Sequence, residues 1–345
     1  MAKKTLNPCE MVLKLKVDTE IYFDVYYVKN KGVSFNIIMG ARGIGKTENN
    51  IGLALTDFKE RGKQFIYMRR YKPELSGASD LLNKWLDDYQ YMGDKNGGGT
   101  YTWGGNKLGW AVPLSTAHNY KSGYDFSNVD TLIYDEAILM PGTSQRYLGN
   151  EITAFLEAVS TIFRLRTGYK VYILGNNLSF FNPYTEYFKV KLFKNEYIDR
   201  DRDLFIGFFK DSPQLRKMEE NTPLYKLTKG TAYHEYHYNN MALAKSIVTY
   251  THKTNNDKIF IRLILNNYTL NIYFKDSIML CEGVQKIFND GITIKILSNN
   301  EPNWYNLQEF KLKYYKLFMY KYSRDEVRFT SQDSFSLLTT LLDLF

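Results

Sequence analysis

Apolar runs and amphipathic segments alternate along the first part of the chain. Four runs have the length and residue types of buried strands; they are residues 33–39, 64–68, 129–134 and 170–174. Segments 48–61 and 151–166 carry apolar residues at helical spacing, and Gly62 ends the first of them. Two further β-prone runs flank Gly104-Gly105-Asn106, a sequence typical of a hairpin turn. Strands that alternate with helices predict an α/β fold with a parallel-rich sheet, and functional residues at the carboxyl ends of its strands.

The pattern changes after residue 201. Residues 212–240 are polar and predict a small helical linker. Beyond residue 245, short β-prone runs joined by Asn-rich turns precede a helical stretch at the end of the chain. The chain is therefore predicted to have three parts: an α/β domain over 1–205, a linker or lid over 206–240, and an α+β domain over 241–345.

Composition excludes several classes of protein. The 345 residues include 29 Tyr and 22 Phe, whereas disordered chains are poor in aromatic residues. Two cysteines, Cys9 and Cys281, exclude a disulfide-rich scaffold and are typical of a reducing, cytosolic compartment. No apolar run approaches the ~18 residues of a membrane span, and the segment after Met1 lacks the apolar stretch of a signal peptide. No membrane partner is expected.

Charge adds a weak indication of a partner. Lys and Arg number 45 and Asp and Glu number 37, so the net charge is +8, and it is spread along the chain. A basic protein suits a polyanion such as nucleic acid. Many globular proteins carry a similar charge, so charge alone leaves the partner open.

A glycine-rich segment gives the strongest chemical signal. Residues 40–47, with the sequence GARGIGKT, match G-x-x-x-x-G-K-[ST] between an apolar strand and a helix. Glycines let successive backbone N–H groups point at one anion, and the helix N-terminus adds positive charge. Lys46 is expected to reach the β- and γ-phosphates of ATP, and the Thr47 hydroxyl to bind Mg²⁺. The residues predicted to bind nucleotide are Gly40, Arg42, Gly43, Gly45, Lys46 and Thr47.

Polar residues follow two other predicted strands. Asp135 and Glu136 come directly after the run 129–134, and Asn176 follows the run 170–174 with one intervening glycine. Asp135 is predicted to help hold Mg²⁺ as a Walker B aspartate, and Glu136 to activate the attacking water as a general base. Asn176 is the candidate sensor of the γ-phosphate, and the alternative for it is a turn-forming Asn pair.

Basic residues near these positions have alternative interpretations. Arg164 and Arg166 end the helix 151–166, where they either act on the nucleotide of a neighbouring subunit or stabilise the helix terminus. Lys121 lies in a polar loop, where a surface lysine is equally typical. The basic residues of segment 69–72 either contact nucleotide or DNA, or are ordinary charged residues of the solvated surface.

Four segments together resemble one known family, the DNA-packaging motor ATPases of small tailed phages of the phi-29 type. These segments are 40–46, 64–75, 108–115 and 182–184, and the resemblance extends over roughly residues 30–240. It implies an additional-strand, catalytic-glutamate (ASCE) P-loop ATPase domain over 1–205. It also implies a homo-oligomeric ring, a pentamer, which sits on the portal or connector of a procapsid and pumps double-stranded DNA inward with ATP.

The same resemblance implies further roles and partners. Arg164, in the run 161–164, and Lys121 are expected to act in trans on a neighbouring subunit, and Lys72 to contact DNA in the pore. A structural RNA is an additional partner in part of the family. The expected location is the host cytoplasm, with transient docking on the procapsid.

The family's C-terminal domain resembles an RNase H-like nuclease, which needs a cluster of Asp and Glu that binds two metal ions. The predicted strand 247–252 has no acidic residue where one is required. Asp257, Asp276 and Asp290 are scattered near turns. We therefore expect an RNase H-like domain without nuclease activity that serves for docking.

The leading hypothesis is thus a ring-forming ATPase that packages DNA. The alternative is a helicase-like or other ASCE ATPase that acts on free nucleic acid, which strand separation without procapsids would favour. A third class is a scaffold that binds nucleotide without hydrolysing it, which ATP binding without turnover would favour.

Overall fold

The structure is a computed structural model of the chain, and its described residues form two compact units. The first unit contains the described residues up to Leu139, those of 145–176 and those of 195–227. The second contains residues 182–190 and those described from 228 onward. The described residues are 7–13, 18–120, 124–139, 145–176, 182–190, 195–231, 234, 251, 254, 257–275, 278–288, 290, 292–298, 301–323 and 326–342.

A nine-stranded sheet organises the first unit. Its strands are β1 (Phe35–Gly40), β2 (Gln64–Arg69), β3 (Tyr89–Gly93), β4 (Gly99–Trp103), β5 (Asn106–Pro113), β6 (Val129–Ile138), β7 (Lys170–Gly175), β8 (Glu196–Asp199) and β9 (Leu204–Phe209). Their order is β3-β4-β5-β2-β6-β7-β1-β9-β8. The strands from β5 to β9 in this order pair in parallel, and β3, β4 and β8 pair antiparallel at the edges. The predicted α/β fold with a parallel-rich sheet is confirmed.

Helices connect the parallel strands and supply the apolar layer against the sheet. The helices that the structure describes are α1 (Val25–Lys29), α2 (Lys46–Arg61), α3 (Glu151–Phe163), α4 (Pro183–Tyr187), α5 (Pro213–Glu220), α6 (Pro223–Thr228), α7 (Trp304–Phe310), α8 (Lys316–Ser323) and α9 (Gln332–Leu342). In α2, Ile51, Leu55 and Phe58 recur at helical spacing and are buried in the core of the first unit. The apolar face of this helix therefore fixes the loop that precedes it against the sheet.

Three elements differ from the sequence prediction. β6 continues to Ile138, and its pairing with β7 shifts register between Tyr134 and Ile138. α3 ends at Phe163 because Arg164 has φ +52° and ψ −123°, which no helix accommodates. β3 is an additional strand that extends the predicted hairpin, and its mostly exposed residues lack the apolar run that predicts a strand.

β9 crosses the predicted domain boundary at residue 205. It pairs in parallel with β1, and Phe205 and Ile206 are fully buried in the sheet. Leu215 of α5 is buried in the same core, so residues 195–227 pack in the first unit. The sequence changes character near residue 201 because the turn between β8 and β9 is polar and exposed, and the domain continues beyond it.

A six-stranded sheet organises the second unit, in the order β14-β13-β10-β11-β12-β15. The strands are β10 (Ile259–Leu265), β11 (Tyr268–Lys275), β12 (Ile278–Val284), β13 (Thr293–Ser298), β14 (Glu301–Pro302) and β15 (Val327–Phe329). β10, β11 and β12 form an antiparallel meander, and β13 pairs in parallel with β10. Apart from Thr251, the predicted strand 247–252 lies outside the described residues. None of the described helices is both long and apolar enough to cross a membrane.

Candidate active site

The segment between β1 and α2 folds into a loop that requires glycine. Gly43 and Gly45 have φ of +78° and +82°, in the left-handed region that other residues avoid. At Gly40, a Cβ would lie 2.7 Å from both Ile44 Cδ1 and the carbonyl oxygen of Phe209. Gly45 is the N-cap of α2, so the loop leads into a helix start whose free N–H groups can bind an anion.

Lys46, the first residue of α2, is buried inside this loop with 6% of its surface exposed. Its Nζ donates to the carbonyl oxygens of Gly40 at 3.0 Å and Ala41 at 2.6 Å. Burial lowers the pKa of Lys46 to about 8 against the raising effect of Asp135, and the charge of nearby Arg42 lowers it too. An anion bound in the loop would stabilise the charged form of Lys46.

Asp135, near the end of β6, faces the loop and is buried. Its Oδ1 accepts a hydrogen bond from Thr47 Oγ1 at 2.9 Å, and its Oδ2 accepts one from the Tyr67 hydroxyl at 2.9 Å. Burial, together with the Asp135 charge, raises the pKa of Tyr67 well above its usual range, so the phenol remains a donor. A threonine hydroxyl beside a buried carboxylate is a pair of oxygen ligands of the kind that Mg²⁺ takes.

Glu136 follows Asp135 with a backbone φ of +52°, which is uncommon for any residue except glycine. Its Oε2 lies 2.5 Å from Nη2 of Arg69, the last residue of β2. Nη1 of Arg69 is also 3.6 Å from Oδ2 of Asp135. Two carboxylates and one guanidinium therefore meet where the adjacent strands β2 and β6 end.

Asn176 comes directly after β7, which is the strand between β6 and β1. Its side chain is half-buried. Because the carboxyl ends of parallel strands lie along one edge of the sheet, this order brings Asn176 between the glycine loop and the acidic pair.

Arg164 lies at the other end of α3 from these residues. α3 starts at Glu151, whose carboxylate binds Arg70 beside the end of β2, and its 13 residues span about 20 Å. Arg164 is exposed at the far end, too distant to reach Glu136 of its own chain. Arg166, in contrast, donates to four backbone carbonyl oxygens at 2.7 or 2.8 Å, those of Phe126, Ser127, Val129 and Ile162. The turn that carries Arg164 is thereby fastened to the beginning of β6.

Lys72 is exposed in a 3₁₀ turn, Lys72–Leu75, that follows β2. Its side-chain stem lies against Gly97 in the turn between β3 and β4, where a Cβ would come within 2.7 Å of Lys72 Cγ and Cδ. Gly97 also has φ +87°, so both the backbone conformation and the contact with Lys72 require glycine there. The turn thus makes room for Lys72. Lys121 lies outside the described residues.

The match to a known family covers most of the chain. Residues 17–324 match the family described as Podovirus DNA encapsidation protein (Gp16). The chain belongs to this family. The DNA packaging protein of Bacillus phage phi29 is 30% identical over 253 residues, which are 72% of this chain and 75% of the relative. That of Bacillus phage B103 is 30% identical over 245 residues, 71% of this chain and 75% of the relative.

A solved structure agrees with this membership of the Gp16 family. A chain of the bacteriophage Phi-29 viral genome packaging motor assembly superposes with a TM-score of 0.62, over 94% of this chain and 99% of that chain. The two are 23% identical, so this likeness shows a shared fold. The resemblance carried by the four sequence segments is confirmed.

Tyr67 is a residue of this candidate site that the sequence analysis did not identify, and Arg69 is one whose role it left open. Tyr67 and Arg69 lie two positions apart on β2, and both reach Asp135. Arg69 and Arg70 were open to interpretation as surface charge, but the structure pairs them with Glu136 and Glu151. The sequence shows that they end an apolar run; it does not show that β2 and β6 are neighbours.

Proposed function

We propose that this chain is the ATP-hydrolysing subunit of a motor that packages double-stranded viral DNA into a procapsid. Membership of the encapsidation family, two relatives named DNA packaging protein and a shared fold with a packaging-motor chain support this function. One observation carries the proposed chemistry: Thr47 Oγ1 lies 2.9 Å from Oδ1 of Asp135. The buried Lys46 precedes Thr47 in the chain, and Glu136 follows Asp135. Phosphate binding, metal binding and base catalysis would then share one edge of the sheet.

The residues present fit ATP and Mg²⁺. The loop 40–47 and Lys46 would bind the phosphates, since the loop supplies N–H groups and a buried cation. Thr47 and Asp135 would hold Mg²⁺, which neutralises phosphate charge when bound. Glu136 would accept the proton of the attacking water, and Asn176 would contact the γ-phosphate.

Arg164 is proposed to act on ATP bound by a neighbouring copy. It is exposed, and α3 holds it about 20 Å from the acidic pair of its own chain. An interface of this kind, between unlike surfaces of identical subunits, generates a ring when the rotation closes. We propose a homo-oligomeric ring, a pentamer as in the resembling family, in which Lys121 is a second group acting in trans.

The proposed partners are double-stranded DNA and the portal or connector of the procapsid, on which the ring would dock in the host cytoplasm. A structural RNA is a further partner in part of the family. The second unit is proposed as an RNase H-like docking domain without nuclease activity. The β10–β12 meander with a parallel fourth strand supports this topology, and β10 contains no Asp or Glu. Within the described part of the chain, no three His, Cys, Asp or Glu side chains are grouped to hold a metal ion.

A packaging assay tests the proposed function. Protein, procapsids, DNA and ATP are incubated together, and DNase is added. We expect protected DNA with ATP, and none without ATP or with the Lys46→Ala variant. Absence of protection under conditions that support assembly would contradict the proposal. Strand separation of free DNA without procapsids would favour a helicase instead.

Lys72 is proposed as a DNA contact. The Lys72→Ala variant should bind all DNA sequences more weakly, and the slope of log affinity against log salt should fall by about 0.9, the value for one lost phosphate contact. Lys63→Ala is the matched control, because Lys63 precedes β2 whereas Lys72 follows it. The test is DNA affinity measured by fluorescence anisotropy at several salt concentrations. Equal slopes for Lys72→Ala and the wild type would show that Lys72 does not contact DNA phosphate.

A further inference from the structure

A buried cation lies directly behind the acidic pair. Arg70, the residue after β2, is 1% exposed. A buried guanidinium is stable only when its donors are bonded to charged or polar partners. Arg70 forms two bonds to one carboxylate, from Nε to Oε2 of Glu151 at 2.5 Å and from Nη2 to Oε1 at 2.9 Å.

The same guanidinium also holds the backbone of β6. Nη1 of Arg70 donates to the carbonyl oxygen of Glu136 at 3.2 Å, and Nη2 donates to that of Ala137 at 2.7 Å. These carbonyls lie where the pairing of β6 with β7 shifts register. Tyr134 pairs with Ile173 and Ile138 pairs with Gly175, so four residues along β6 correspond to two along β7. A strand cannot pair regularly there, and Arg70 provides donors in place of a neighbouring strand.

The segment held by Arg70 contains the strained residue. Glu136 has φ +52°, a conformation that persists in a non-glycine residue only when surrounding contacts determine it. Glu151 holds Arg70 in turn, and its carboxylate also accepts from the Tyr134 hydroxyl at 2.9 Å and the Leu148 N–H at 3.0 Å. Arg69 differs from Arg70 because it contacts the Glu136 carboxylate itself.

We propose that Arg70 is a positioning residue that fixes the backbone of Glu136, and that Glu151 orients Arg70 for this task. The inference rests on the proposed role of Glu136 as general base. Loss of Arg70 should leave ATP binding intact, because the glycine loop and Lys46 are untouched. Turnover should fall, since a misplacement of about 1 Å costs on the order of 10²-fold in rate.

The main test removes both charges at once. The double variant Arg70→Met/Glu151→Leu leaves no unpaired buried charge, so it should still fold. Its melting temperature should be lower than that of the wild type, because the carbonyl oxygens of Glu136 and Ala137 lose their donors. We expect kcat to fall about 10- to 100-fold with KM unchanged, and hydrogen exchange of the segment 135–138 to accelerate. Lys29→Met/Asp57→Leu is the control, since it removes the ion pairs of Asp57 with Lys29 at 3.1 Å and with Arg61 at 3.2 Å, elsewhere in the same unit.

Arg70→Lys provides an independent variant in case the double variant does not fold. Lysine keeps the charge beside Glu151 but has three donors on a single nitrogen, so it cannot make the four bonds that Arg70 makes from three nitrogens. The same loss in kcat is expected. Full activity of either folded variant, or equal changes in kcat and KM, would overturn the proposal. If Glu136→Gln retains wild-type turnover, the proposed base is wrong, whereas the exchange of segment 135–138 still reports whether Arg70 holds it.

Discussion

Replacing Arg164 with alanine is expected to lower ATP turnover by assembled copies by about 10³- to 10⁵-fold, the range measured for arginines that act on a bound nucleotide in trans. The reason is geometric. α3 holds Arg164 about 20 Å from Glu136 of the same chain, so the proposed action on a bound nucleotide requires a second copy. ATP affinity of the isolated subunit should not change.

Mixing two inactive variants separates action in trans from action in cis. A subunit with Glu136→Gln supplies Arg164 but lacks the base, and a subunit with Arg164→Ala has the base but lacks the arginine. Mixed assemblies should recover part of the turnover that neither variant shows alone. Absence of recovery, or normal hydrolysis by assembled Arg164→Ala, would contradict the trans role.

Arg164→Gly is a sharper control because of the backbone at this position. The φ of +52° and ψ of −123° suit glycine and strain any other residue. Arg164→Gly should therefore be more stable than the wild type by about 1 kcal/mol, after the extra unfolded-state entropy of glycine is subtracted. Thermal unfolding measures the gain. A variant that is more stable yet inactive would separate the function of Arg164 from any part in folding.

The Glu136→Gln variant is expected to hydrolyse ATP about 10²- to 10⁴-fold more slowly than the wild type, the usual contribution of a general base. Glutamine has the same size but cannot accept a proton from water. Calorimetric titration with ATP should give an unchanged dissociation constant.

Glu60→Gln is the matched control for this variant. Glu60 is an exposed residue near the end of α2, about 20 Å along this helix from Lys46, so the same chemical change should leave turnover unaltered. If Glu136→Gln keeps more than a tenth of wild-type turnover, another group accepts the proton. ATP binding by the wild type without turnover would favour the alternative of a scaffold that binds nucleotide without hydrolysing it.

Local signals account for what the sequence predicted. The glycine loop before α2, the acidic pair after an apolar run and the strand–helix alternation each depend on neighbouring residues. Strand order depends on contacts between distant segments, and it was therefore not predictable. The contacts of Tyr67, Arg69 and Arg70 follow from the pairing of β2 with β6, which no local pattern encodes. The same reason explains the domain boundary, since β9 joins the sheet through its pairing with β1.

The two arginines that bond to backbone carbonyls have a joint mechanical consequence. Arg166 fastens the end of α3 to the beginning of β6, and Arg70 with Glu151 fastens the start of α3 to the end of β6. α3 and β6 are thus joined to each other at both ends, and we expect the pair to move as one body. A shift imposed at Glu136 would be transmitted to Arg164 as a rigid displacement over about 20 Å. For a protein proposed to push DNA against a load, such stiffness would limit the elastic deformation of the subunit itself.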